Sequence, residues 1–97
     1  MVVCGEEGLD ELSLAGGNVV ATVGPHGIAT SRVVPEDAHL ARFPIAALRG
    51  GDPAHNARAL HDLLMGELGP YRDAVLFNAA AALSRLSAYH CAVRSRV

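Results

Sequence analysis

The sequence has no lysine and no tryptophan, and aromatic residues make up only 4% of it. Without large rings, a core has to be assembled from Val, Leu, Ile and Ala, a composition that suits strands packed on helices. All eight basic residues are Arg, set against ten acidic ones for a net charge of -2. They are scattered, and only Arg94 and Arg96 lie close together. A nucleic-acid surface needs clustered cations to face phosphates, so no nucleic-acid partner is expected. Cysteine is scarce as well. Cys4 and Cys91 stand near opposite ends, without the spacing of a metal knuckle or a redox pair. Long hydrophobic runs are missing too: the longest, Ala79 to Leu83, falls far short of the roughly 20 residues a bilayer requires. Met1-Val2-Val3 runs straight into Cys4-Gly5 with no secretory signal pattern. These absences predict a cytoplasmic protein with reduced thiols and no membrane partner.

What is present suits one small domain with a modest core. The chain has 97 residues, of which 51% are hydrophobic and 19% charged, outside the range of disordered chains. Val2 and Val3 are β-branched and precede Gly5 and Gly8, so the chain opens in a strand. The stretch from Gly5 to Glu11 reads as a loop or a short turn of helix. Asn18 to Val23 and Ile28 to Val34 are β-prone runs joined by Gly24-Pro25-His26-Gly27. Pro25 pre-sets φ for a turn and Gly27 tolerates positive φ, which predicts a hairpin. Pro35-Glu36-Asp37 ends the second run, because Pro cannot donate to a ladder. Ala38 to Leu48 reads as irregular, with a short helical turn after Pro44.

Two helices are predicted next. Asp52 can cap the first, with Pro53 at a position where its missing N–H costs nothing. Ala57, Leu60, Leu63 and Leu64 recur at helical spacing on it. Gly66 and Gly69 interrupt the pattern, Pro70 restarts it, and Asp73 to Leu83 reads as the second helix. That helix is apolar nearly all round, which predicts burial against other elements. The fold class is α/β: a partial sheet with a β-hairpin, followed by two helices.

Four stretches carry a family resemblance. Val2-Val3-Cys4-Gly5-Glu6-Glu7-Gly8-Leu9-Asp10-Glu11 resembles the V-V-H-G-x-x-G-L-D-E signature of anthranilate phosphoribosyltransferases. Pro35-Glu36-Asp37 resembles that family's P-E-D after its hairpin. Leu48-Arg49-Gly50-Gly51-Asp52, followed by Asn56-Ala57, resembles its L-R-G-G-D…N-A helix start. Asn78 to Leu83 resembles its N-A-A-A-A-L helix. The resemblance covers residues 2 to 83, and four motifs in register are far more specific than one. Cys4 departs from it, standing where the family has His, and the pattern is lost beyond Leu83.

The resemblance implies a fragment of a phosphoribosyltransferase/nucleoside phosphorylase-like α/β domain. Residues 1–83 would be the C-terminal part of a glycosyl transferase family α/β domain, and residues 84–97 a divergent tail. In the complete family enzyme, a homodimer, phosphoribosyl pyrophosphate and anthranilate are the substrates. The dimerising helical domain, the glycine-rich phosphate loop and the anthranilate pocket have no counterpart in this sequence. Asp10 and Glu11 match the paired carboxylates that hold Mg2+ at the phosphoribosyl pyrophosphate site. The chemistry agrees: magnesium prefers hard oxygen ligands and is typically held by one or two carboxylates together with substrate phosphates. A turn, which Gly8 favours, would bring both side chains to one ion. Two readings follow: a transferase by descent that is inactive alone, or a non-enzymatic truncated product acting as a structural or interaction module.

Other residues carry weaker signals. Cys4 would need a base or cationic neighbour to act as a nucleophile, and reads as a buried structural cysteine. His55 and His61 are six residues apart on the first helix, a spacing that separates their faces and argues against a shared metal. His26 and His39 fall in a turn and a loop. Arg49-Gly50-Gly51 reads as a helix-start loop with a surface Arg rather than an anion site. Asn78, inside an apolar helix, must satisfy its amide, which predicts a core hydrogen-bonder that fixes neighbouring backbone.

Overall fold

A computed structural model describes the backbone of residues 1–94 and the side chains of residues 1–85. Strand β1 spans Val2–Gly5, β2 Asn18–Gly24 and β3 Gly27–Val33, and helices α1 and α2 span Pro53–Leu64 and Pro70–Arg94. The strands form one antiparallel sheet in the order β1-β2-β3. Gly5 pairs with Asn18 and Asn18 with Val33, while Gly24 opposite Gly27 closes a tight turn through Pro25 and His26. Gly27 has φ 120, as the predicted hairpin requires. After Pro35 the chain makes one turn of 3-10 helix, Pro35–Ala38, that periodicity did not indicate. Asp37 explains it by accepting a hydrogen bond from the Val34 N–H at 2.9 Å. The expected turn after Pro44 is a second 3-10 segment, Ile45–Leu48.

The core lies on one face of the sheet. Val20, Leu12, Leu14, Ala74 and Phe77 are buried together, with Val3, Val33, Leu40, Phe43, Leu48 and Ala81 packed around them. Helix α2 contributes Ala74, Phe77, Asn78 and Ala81, one stripe at i, i+3, i+4 and i+7. The expectation that α2 is buried all round is corrected here: Val75, Leu76 and Leu83 are exposed. A single sheet face and one loop can cover only one side of a helix. The same holds for α1, which has no buried residue, and whose Leu64 is 74% exposed. Cys91, and with it any pairing to Cys4, lies outside the described side chains.

Helix α1 begins as its sequence dictates. Asp52 accepts a hydrogen bond from the His55 N–H at 2.8 Å and Pro53 opens the first turn. It ends in a Schellman arrangement: Gly66, φ 92, donates to Leu63 O and Glu67 to Asp62 O, both at 3.0 Å. Asp52→Ala should cost about 1 kcal/mol, and Asp52→Asn much less, because Asn caps equally well. A urea midpoint for Asp52→Ala equal to that of the unsubstituted chain would show that the cap contributes nothing.

Candidate functional site

The loop between β1 and β2 is built by short-range backbone bonds. Gly5 N–H donates to Leu9 O at 2.8 Å, Gly8 N–H to Gly5 O at 2.9 Å, and Glu6 N–H to Gly17 O at 2.9 Å. Gly8 takes φ 95, and a Cβ at Gly5 would lie 2.9 Å from the Ser13 Cβ. Both glycines are therefore needed for the chain to fold back on itself. Leu12, Ser13 and Leu14 then plunge into the core.

Two asparagine side chains hold that returning segment. Asn78 Oδ1 accepts from Leu12 N–H at 2.8 Å, and its Nδ2 donates to Leu12 O and to Ala74 O, each at 3.0 Å. Asn18 Oδ1 accepts from Ser13 N–H at 2.6 Å, while its Nδ2 donates to Ser13 O at 3.0 Å, Val33 O at 3.3 Å and Gly16 O at 3.4 Å. Asn56 does the same for Gly51, accepting from its N–H at 2.9 Å and donating to its O at 3.1 Å. All three asparagines of the chain thus grip both backbone groups of one loop residue, Asn78 across 66 positions and Asn18 and Asn56 across five. The Asn78 role agrees with the sequence-based expectation. The Asn18 role was missed, although an Asn heading a valine-rich strand, where Asn is disfavoured, was the available signal.

Asp10 and Glu11 project into solvent from this held loop. Among the described residues neither forms an ion pair, whereas the neighbouring Glu6 pairs with Arg32 at 2.6 Å. The hydrogen bond from Arg32 keeps the Glu6 carboxyl below the usual carboxylate range, and Arg42 does the same for Glu36. The acidic residues of the loop are thereby sorted. Glu6 is engaged with a guanidinium above Gly17, and Glu7 turns its carboxylate toward Gly16. Asp10 and Glu11 keep their oxygens available. Glu11 also lines a cavity of about 310 Å³ together with Leu48, Tyr71, Ala74, Val75 and Asn78.

This donor set fits magnesium in one way only. Among the described residues no group of three or more His, Cys, Asp or Glu side chains could hold a metal. A closed protein cage is therefore not formed by these residues. Two accessible carboxylates instead suit an ion that retains waters and shares its coordination with substrate phosphates.

The remaining candidates stand apart from this loop. Cys4 is exposed, its thiol directed at Gly5 O, 3.3 Å away, which corrects the expectation of burial. It lies on the sheet face opposite the core, the alternate side from Val3 and Gly5. His26, His39, His55 and His61 are all exposed. His61 Nδ1 lies 3.4 Å from the Asp62 carboxylate. Arg49 is exposed at a cavity of about 370 Å³ beside α1. A further cavity of about 330 Å³ lies between α1 and the start of α2, and shares Ala47, His55, Ala59 and Tyr71 with it. Among the described residues no helix is long and apolar enough to cross a membrane.

Comparison with known proteins places the geometry in context. The description "Glycosyl transferase family, a/b domain" matches residues 1–91. The anthranilate phosphoribosyltransferase of Novosphingobium aromaticivorans is 65% identical over 82 residues, 84% of this chain and 25% of that protein. That of Sphingopyxis alaskensis is 62% identical over the same span and coverage. Among solved structures, the anthranilate phosphoribosyltransferase of Thermus thermophilus superposes with a TM-score of 0.66 at 41% identity, over 81% of this chain and 25% of that one. The chain spans about a quarter of the length of the curated relatives it matches.

Proposed function

We propose, from the premise that this chain belongs to the glycosyl transferase family and carries its a/b domain, that it is the C-terminal portion of an anthranilate phosphoribosyltransferase. In that reading Asp10 and Glu11 hold Mg2+ at the phosphoribosyl pyrophosphate site, and the anthranilate nitrogen attacks the ribose carbon as pyrophosphate departs. The observation that carries it is the solvent-facing Asp10-Glu11 pair on a loop anchored on both sides, within a segment 65% identical to a relative of that name. Magnesium bound there supplies neutralisation of the charge gathering on the leaving pyrophosphate. Asp10 and Glu11 contribute oxygen ligands, and Glu6 is kept from competing by its ion pair with Arg32. None of the described residues is placed as a general acid or base.

The chain alone is expected to be inactive. Leu64 is 74% and Leu68 77% exposed, which supports a larger assembly in which other parts of the enzyme cover α1 and the outer side of α2. The homodimer of the family belongs to that assembly. The test is a chimera in which residues 1–83 replace the matching segment of the Novosphingobium aromaticivorans protein. Anthranilate fluorescence should change when phosphoribosyl pyrophosphate and Mg2+ are added to the chimera, and not with the 97-residue chain. Asp10→Asn with Glu11→Gln should abolish the change. A folded chimera without turnover would overturn the assignment, and turnover by the chain alone would overturn its dependence on the rest of the enzyme.

A further inference from the structure

Resting on the metal reading of Asp10 and Glu11, we propose that Asn78 is their positioning residue, fixing the carboxylates from helix α2 through the backbone of Leu12. Leu9 is tied by its carbonyl to the Gly5 N–H at 2.8 Å, and Leu12 by both backbone groups to Asn78 at 2.8 and 3.0 Å. Asp10 and Glu11 are the two residues between those anchors. Such a short bridge leaves its backbone little freedom, so the directions of both side chains follow from where the anchors stand.

Asn78 is itself locked. One Nδ2 hydrogen goes to Ala74 O, four residues earlier on α2, which sets the amide plane and aims the other hydrogen and Oδ1 at Leu12. All donors of the amide and its oxygen are used, and among described residues no buried polar side-chain atom lacks a partner. The neighbouring stripe residues Ala74, Phe77 and Ala81 are apolar. Packing alone would be served by Leu at position 78. An amide is needed only to hold the segment that follows Glu11. Glu11 and Asn78 also line one cavity. Groups that orient ligands from behind typically change metal affinity by about 10- to 100-fold when removed. With a backbone link in place of a direct bond to the ligand, the lower end is expected.

The experiment uses the 97-residue chain, Mn2+ as probe and inorganic pyrophosphate as the source of phosphate oxygens, reading paramagnetic broadening of the Asp10 and Glu11 amide resonances. Broadening in the unsubstituted chain should centre on these residues and vanish in Asp10→Asn with Glu11→Gln. Asn78→Ala should raise the Mn2+ midpoint about 10-fold. Asn78→Leu, which keeps the number and branching of side-chain heavy atoms, serves where Asn78→Ala loses its dispersed spectrum, and should shift the midpoint the same way. Phe77→Leu, a core change on the adjacent residue, should leave the midpoint in place while lowering stability. An unchanged midpoint in a folded Asn78 variant, or an equal shift in Phe77→Leu, would overturn the positioning role alone. Absence of localised broadening in the unsubstituted chain would overturn the metal reading and the positioning role with it.

Discussion

Asn18→Ala should unfold the sheet of the isolated chain. Asn18 is 0% exposed and accepts or donates in four hydrogen bonds to Ser13, Gly16 and Val33. Ser13 is buried as well, so its N–H and C=O would lose their partners without gaining water. Each such orphaned group costs about 1–3 kcal/mol. Two of them remove roughly 2–6 kcal/mol, comparable to the whole stability of a small domain, about 5 kcal/mol at the low end. Asn18→Asp should do equal damage at neutral pH, since its carboxylate would face three carbonyl oxygens in place of an amide donor. Loss of dispersed amide resonances from β1, β2 and β3 is the readout. A urea midpoint within error of the unsubstituted chain would show that Ser13 finds other partners, and that the clamp is dispensable.

Leu14→Ala should be nearly as severe. Leu14 is 1% exposed, sits at the centre of the small core, and its carbonyl accepts from the Phe43 N–H at 3.0 Å. Truncating a buried Leu removes about 2–5 kcal/mol, the spread reflecting how far neighbours collapse into the space. Here the neighbours are few and held by the Asn18 and Asn78 clamps on either side, which limits collapse. Leu64→Ala is the matched comparison. Its side chain is 74% exposed, and such surface changes usually stay within about 0.5 kcal/mol. Urea unfolding monitored by circular dichroism should separate the two variants clearly. Equal midpoints would mean that the core does not lie where the buried residues place it.

Both predictions concern a loop that local patterns describe poorly. Residues 12–14 carry no strand or helix period, yet Leu12, Ser13 and Leu14 are among the most buried in the molecule. Their burial depends on contacts with Asn18, Phe43 and Asn78, the last 66 residues away. Periodicity reports only how a segment faces a partner it already has, so it could not reveal a core made from a loop. The same limit explains α2: composition showed that it is apolar all round, but not that one stripe alone meets the sheet. The thiol of Cys4 was misjudged for the converse reason. Its strand was legible, but which of its two faces is covered depends on the elements stacked against it.

The features legible in the sequence alone were those set by local covalent and steric rules. Proline and glycine placed the hairpin turn, Asp52-Pro53 the start of α1, and Gly66 its end, because φ restrictions and capping act within a few residues. The ordered motifs marked the family, and only that resemblance implied a metal role for Asp10 and Glu11. The tertiary structure decided how those donors are held. Asn78 reaches Leu12 only because α2 lies across the core face of the sheet, and Asn18 reaches Val33 only because β2 pairs with β3. An amide's hydrogen-bonding capacity is written in its residue type, but the partner of Asn78 is chosen by the packing that brings the Leu12 backbone, 66 positions away, within about 3 Å of its side chain.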